Sequence, residues 1–248
     1  MAGISRNEFL NHVREALNKS PGSREPDYVA LKVRRENQLQ KVVTIEARVE
    51  ARRPTLLNRL AETAVNLGWQ VERPTSAEEA LRYIVSVARK TRAGLIVRSD
   101  HDVFSRLSVD ACLQNQGARV TVVKVSRTMR RGRLREEMAQ AGLGITGVDY
   151  AIAETGTCVL LARRGVSRSV SLLPPVHIAI VEASQVYETL DDIFAMRRLA
   201  FQEGRGDMGS NMTFISGPSR TADIEQTTVV GVHGPKEAHL VLLDSHQP

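Results

Sequence analysis

From Trp69 onward, short continuous aliphatic runs alternate with stretches of helical period, and this alternation restricts the fold more than any other feature. The runs are "WQVER", "AGLIVR" (93–98), "RVTVVKV" (119–125), "YAIAE" (150–154), "TCVLLA" (157–162), "VHIAIVE" (176–182) and "AHLVLLD" (238–244). Most lack the in–out polarity of a strand with one wet face, so they must be covered on both faces. Helical stretches lie between them. Ser76 and Glu79 make a capping box ahead of Ala77, Leu81, Ile84, Val85 and Ala88, and further helices are predicted at about 104–115, 133–142 and 184–200. The chain is therefore an α/β protein with a Rossmann-like, mostly parallel sheet and helices on both faces. Aromatic residues make up 4%, so aliphatic packing must build its core.

Residues 1–67 read differently, as a helical N-terminal region ahead of an α/β domain over 68–248. Ser5 and Glu8 form a capping box before Phe9, Val13, Ala16 and Leu17, "KSPGSREPD" (19–27) breaks the pattern, and helices follow at about 36–51 and 54–67. Gly68 supplies the stop.

Several function classes lose support. There is no GxGxxG after the first strand, no GxxxxGK[ST] and no GxSxG. The two cysteines, Cys112 and Cys158, are isolated and cannot supply a four-thiolate cluster or zinc site, and no HExxH occurs. No metal and no cofactor is expected in this chain. The net charge is +6, but it is spread and interleaved with acids. The densest run, "SRTMRRGRLREE" (126–137), lacks aromatic interleaving and reads as a solvated surface, not a nucleic-acid site. No apolar run is long enough for a membrane span, and "MAGISRNEFLNHV" has no apolar signal core, so a cytoplasmic location is expected.

Chemistry concentrates at "SGPSRTADIEQ" (216–226), which follows the apolar run "MTFI" and reads as a strand-to-helix junction beyond a strand's carboxyl end. Gly217 allows close approach, Ser219 or Thr221 can cap, and Arg220 with the free helix N–H groups suits a carboxylate or phosphate. Asp223 can pair with Arg220 or stabilise the helix start. A well-capped helix with a surface Arg explains the same spacing. A second candidate is Glu154 ahead of Thr155-Gly156-Thr157, a carboxylate at a strand end beside a turn that can hold an anion, or else an exposed hairpin turn. His177 opens "VHIAIVE" behind a Pro pair, where histidines are commonly structural, and His233 lies in the turn "GVHGP".

"AIAETGTCVLL", "SLLPPVHIAIVE", "ISGPSRTADIEQTTVVGVHGP" and "HLVLLD", in that order, resemble the C-terminal half of a cluster-free component of the LUD domain family. The resemblance is strong over 145–244 and weaker over 70–145. Cys158 departs from it, standing where an aliphatic residue is expected. The resemblance implies a fold shared with sugar-phosphate isomerases, CoA transferases and formyltetrahydrofolate cyclo-ligase. It also implies a role in lactate utilization, as a subunit of an electron-transport complex oxidising L-lactate to pyruvate. Two iron–sulfur proteins would be the partners and would carry the clusters. The resemblance carries no catalytic residues over; on the residues themselves, Arg220 would hold a small anionic ligand, with Ser219 and Thr221 as donors. Thr155, Gly156, Thr157, Gly217, Asp223 and His233 are the further ligand-binding candidates, and Glu154 and His177 the acid/base candidates. Fold relatives use a strand-end Glu for covalent CoA transfer, and Glu154 matches it by fold analogy only. The alternative is a stand-alone enzyme acting on a phosphorylated or CoA-linked small molecule. Whether the chain forms a homo-oligomer is open.

Overall fold

A computed structural model of the chain describes residues 4–18, 32–124, 130–204, 209, 211–222 and 228–243. The N-terminal region comprises α1 (Arg6–Ala16), α2 (Arg35–Ala51) and α3 (Arg53–Asn66). Ser5 and Glu8 form the predicted capping box on α1. No residue of α1 is buried, whereas α2 and α3 place Val42, Ile45, Val49, Leu56, Leu60 and Ala64 in a core shared with the strands that follow. Gly68, at φ +92°, turns the chain out of α3, a conformation that costs a side-chain-bearing residue dearly.

Alternation then begins with β1 (Gln70–Glu72), α4 (Ala77–Lys90) and β2 (Leu95–Arg98). It continues through α5 (Val103–Arg106), α6 (Val109–Gln114), β3 (Arg119–Val122), α7 (Arg131–Gln140) and β4 (Leu143–Gly147). Next come β5 (Tyr150–Ile152), β6 (Thr157–Leu161), α8 (Ser169–Leu172), β7 (Val176–Glu182), β8 (Val186–Tyr187) and α9 (Leu190–Gln202). The chain closes with β9 (Met212–Ile215), β10 (Arg220–Ala222), β11 (Thr228–Val230) and β12 (Glu237–Leu243).

The principal sheet has six strands in the order β1-β12-β7-β4-β2-β3, every neighbour parallel. Helices flank it. On one face α4, α5 and α6 cover Ile96, Ile145, Ile178, Ile180 and Val241. On the other, α7 and α8 cover Val97, while α2 and α3 share a core with Ala179, Val181, Leu240 and Leu242. The α/β, mostly parallel fold read from the sequence is the one observed.

Two expectations are corrected. "YAIAE" and "TCVLLA" do pair as a hairpin, but in a separate four-stranded sheet ordered β8-β5-β6-β9. The strand-to-helix junction is also different. Residues 216–219 turn, and Arg220, Thr221 and Ala222 enter a strand that pairs antiparallel with Thr228–Val230. Its partner is β-branched throughout, and a ribbon satisfies those backbone groups where a helix was expected.

Candidate functional site

The order of the parallel strands defines where a ligand crevice opens. From β2 the chain runs through α5 and α6 to β3 on one side, then returns through α7 to β4 on the other. Connections leaving neighbouring strands in opposite directions part at the carboxyl edge, between the ends of β2 and β4. The residues that follow those ends are Ser99-Asp100-His101 and Val148-Asp149. Ser99 stitches the edge together: its N–H donates to the Ile145 carbonyl at 3.0 Å and its Oγ accepts from the Gly147 N–H at 3.3 Å.

His101 and Asp149 meet there. The His101 ring lies directly over Gly147, where any Cβ would collide with it. Its Nδ1 accepts from the Val103 N–H at 3.3 Å, so the ring proton sits on Nε2, which is 3.9 Å from Asp149 Oδ1. Burial holds the His101 pKa below the ordinary imidazole value, and Asp149 opposes that shift in part. The imidazole is therefore neutral near pH 7. Asp149 also accepts from Arg163 Nη1 at 2.6 Å and from the Leu161 N–H at 2.7 Å. The His101 and Asp149 side chains are 7% and 11% exposed, while Arg163, at 29%, still reaches solvent. Lys124, just beyond β3, pairs with Asp100 at 2.6 Å, and the Asp100 N–H donates to the Gly165 carbonyl at 2.8 Å. At the end of β7, Glu182 pairs with Arg106 at 2.6 Å.

Chemically, this is a site of fixed donors. Asp149 has its oxygens committed to Arg163 and a backbone N–H, and His101 has its lone-pair nitrogen committed to Val103. What remains to face a ligand is the rest of the Arg163 guanidinium, a group suited to a carboxylate or phosphate, while Lys124 is held by Asp100.

The residues singled out in the sequence gather at the opposite, amino edge of the principal sheet. Thr157 Oγ1 lies 2.8 Å from Ser216 Oγ, and Thr155 Oγ1 donates to Thr157 Oγ1 at 2.9 Å, which joins the two candidate turns. Gly156 (φ +58°) packs on the Thr63–Ala64 backbone and accepts from Trp69 Nε1 at 3.1 Å. Gly217 packs on the Leu67 carbonyl, and the Arg220 guanidinium lies against Gly68. Ser219 exchanges backbone bonds with Pro235 and Gly231 at 2.9 and 2.8 Å, and Thr221 is half-buried in β10. These groups dock the 216–222 segment onto the end of α3. They lie before the first residues of β1, β7 and β12, not beyond a carboxyl end of the parallel sheet as the sequence reading had it.

Glu154 is exposed at the β5–β6 turn. His177 is fully buried in β7, its Nε2 sharing a 2.9 Å hydrogen bond with Thr146 Oγ1 and its ring 6.2 Å from Trp69. Burial pushes its pKa down to about 3. Glu154 and His177 thus occupy separate environments, one wet and one dry. His233 is exposed and lines a cleft of about 490 Å³ with Pro175 and Lys236. Asp223 lies outside the described residues.

His101, Asp149 and Arg163 escaped the sequence reading. The signal was "RSDHD" (98–102), polar and titratable residues directly behind the buried run "LIV". Its counterpart, "GVDY", follows a strand that went unrecognised.

Cys158 is fully buried in β6, which raises its thiol pKa, and Cys112 is half-buried in α6. Among the described residues no three His, Cys, Asp or Glu side chains are placed to hold a metal ion. Nor is any described helix long and apolar enough to cross a membrane.

A parallel sheet of this order, with a topological switch point between β2 and β4 and helices on both faces, defines a Rossmann-like α/β protein. Within that class the chain belongs to the LUD domain family, whose profile matches residues 57–243. Lactate utilization protein C of Halalkalibacterium halodurans is 32% identical over 243 residues, covering 96% of this chain and 97% of that protein. The protein of the same name from Geobacillus kaustophilus is 31% identical over 246 residues, covering 97% of each. That of Bacillus subtilis is 41% identical over 104 residues, 42% of this chain and 43% of the relative. A crystal structure of a DUF162 family protein from Deinococcus radiodurans superposes with a TM-score of 0.51 at 21% identity, covering 77% of this chain and 98% of that one. That likeness bears on the fold.

Proposed function

We propose that this chain is a cytoplasmic component of a lactate utilization system that binds the small carboxylate while partner proteins carry out its oxidation to pyruvate. Full-length similarity to proteins named lactate utilization protein C supports the pathway. The single observation that carries the division of labour is the state of the His101–Asp149–Arg163 group. Asp149 is held by Arg163 and a backbone N–H and the His101 lone pair by Val103, so these two side chains are fixed in place and Arg163 is the cationic donor offered to an anion. Two cysteines, one of them buried in a strand, do not fit a four-thiolate cluster, which agrees with the iron–sulfur partners that the family resemblance implies as the carriers of the redox centres.

The experiment is lactate-dependent dye reduction by the purified chain alone, by the assembly with its co-purifying partners, and by that assembly with this chain omitted. Activity confined to the complete assembly is expected. Activity of the chain alone, or full activity of the assembly without it, overturns the proposal.

A further inference from the structure

The carboxyl edge carries more positive charge than a three-carbon acid needs. Beside Arg163 a cleft of about 820 Å³ opens between the end of β3, the start of α7 and the 162–168 loop. Its size falls in the roughly 300–1,000 Å³ range of sites for small organic ligands. The floor is apolar: Val123, Leu134, Met138 and Val166 are all at least nine-tenths buried. The rim is cationic, formed by Arg131, Arg164 and Arg168, all exposed. No carboxylate among the described residues pairs with any of these three, whereas Arg163 is held by Asp149. The first turn of the ten-residue α7 contains no acid, and its N-cap, Arg130, makes no side-chain cap bond. Helix dipole and guanidinium groups therefore point the same way, toward negative charge.

We propose that this cleft binds a phosphate ester of nucleotide size, with its phosphate oxygens on Arg131, Arg164 and Arg168 and its apolar part on the Leu134–Met138 floor. Three guanidinium groups with no carboxylate partner among the described residues match the two to three negative charges of such a ligand, and each can bind phosphate through two parallel hydrogen bonds. The charges line one concavity, not a track, and no aromatic side chain among the described residues lines it for base stacking along a strand. A small ligand is favoured over a nucleic-acid backbone on both counts. Arg163 also lines this cleft, so the two readings share one side chain; the rim arginines Arg131, Arg164 and Arg168 belong to this proposal alone, and a variant confined to them tests it separately from lactate binding.

The test is titration calorimetry of the full chain with ADP, inorganic pyrophosphate, lactate and a short DNA duplex, repeated on the double variant Arg164→Ala/Arg168→Ala. Both positions are exposed and make no side-chain ion pair among the described residues, so the variant should keep the wild-type melting temperature. Saturable ADP binding is expected, with pyrophosphate at least tenfold weaker for want of the apolar contact. The double variant should lose at least tenfold in ADP affinity. No ADP binding at millimolar concentration overturns the proposal, as does unchanged binding in the double variant. Tighter binding of the duplex than of ADP, lost in the same variant, overturns it in favour of a nucleic-acid surface.

Discussion

His101 Nε2 stands 3.9 Å from Asp149 Oδ1, and the two residues come from the carboxyl ends of neighbouring parallel strands. Asp149 also binds a backbone N–H at the end of β6, so one carboxylate ties the principal sheet to the smaller one. Replacing it by Asn should lower the His101 pKa further, because Asp149 is the largest of the three acids, with Asp102 and Glu182, that raise it. An NMR titration of the imidazole reads this directly. The same variant leaves Arg163 without its partner and should destabilise the fold by about 1–3 kcal/mol, measured by urea unfolding. An unchanged His101 titration would mean that the two side chains do not sense each other.

The two edges of the sheet offer rival anion sites. Arg163→Ala should reduce lactate affinity, or the rate of the assembled system, by about tenfold or more, the value of a charge-assisted hydrogen bond. Arg220→Ala, at the amino edge, should change it less than about twofold. The opposite ranking would move the small-anion site to the Ser216–Arg220 turn.

Acid should weaken the fold in a defined window. His177 has a native pKa of about 3 against an ordinary value near 6.5, so above pH 6.5 neither state binds the proton and the group contributes nothing. Below pH 6.5 the unfolded chain takes up a proton that the native chain refuses. Stability therefore falls as pH drops, by about 1.4 kcal/mol per unit from this group, until the native state also protonates near pH 3. His101 and His239, also lowered by burial, act in the same direction. Chemical unfolding of wild type and His177→Gln between pH 7 and 4 checks it. Gln keeps a partner for Thr146 without titrating, and its slope should be smaller by about one proton.

Gly144 in β4 faces the backbone carbonyl of Val170, and a Cβ there would sit inside it. Gly144→Ala should cost about 1–3 kcal/mol, more if α8 cannot move. Gly94, with open space around it and ordinary backbone angles, is the control, and Ala there should change stability by less than about 0.5 kcal/mol.

The architecture was legible in the sequence because buried parallel strands must be apolar on both faces, and "VHIAIVE" and "HLVLL" are. The failure was "LGITG" (143–147). Two of its five residues are glycines, so neither propensity nor alternation marks it as a strand, yet it lies between β7 and β2 in mid-sheet. Those glycines exist for tertiary reasons, the closeness of Val170 to one and of His101 to the other, and no local pattern encodes that. Losing the strand meant losing Asp149 behind it, and with it the switch point. The hydroxyls, glycines and arginine of the 216–221 turn were visible and chemically plausible. Their spacing, however, carries no information about which edge of the sheet they reach.

Helix α1 buries no residue and presents Phe9, Val13 and Leu17 at 54%, 37% and 61% exposure. It is consequently a natural handle on the molecule. A dye or surface tether joined there would displace no core side chain. Immobilised by that helix, the protein could be presented to candidate ligands with its packed cores unaltered.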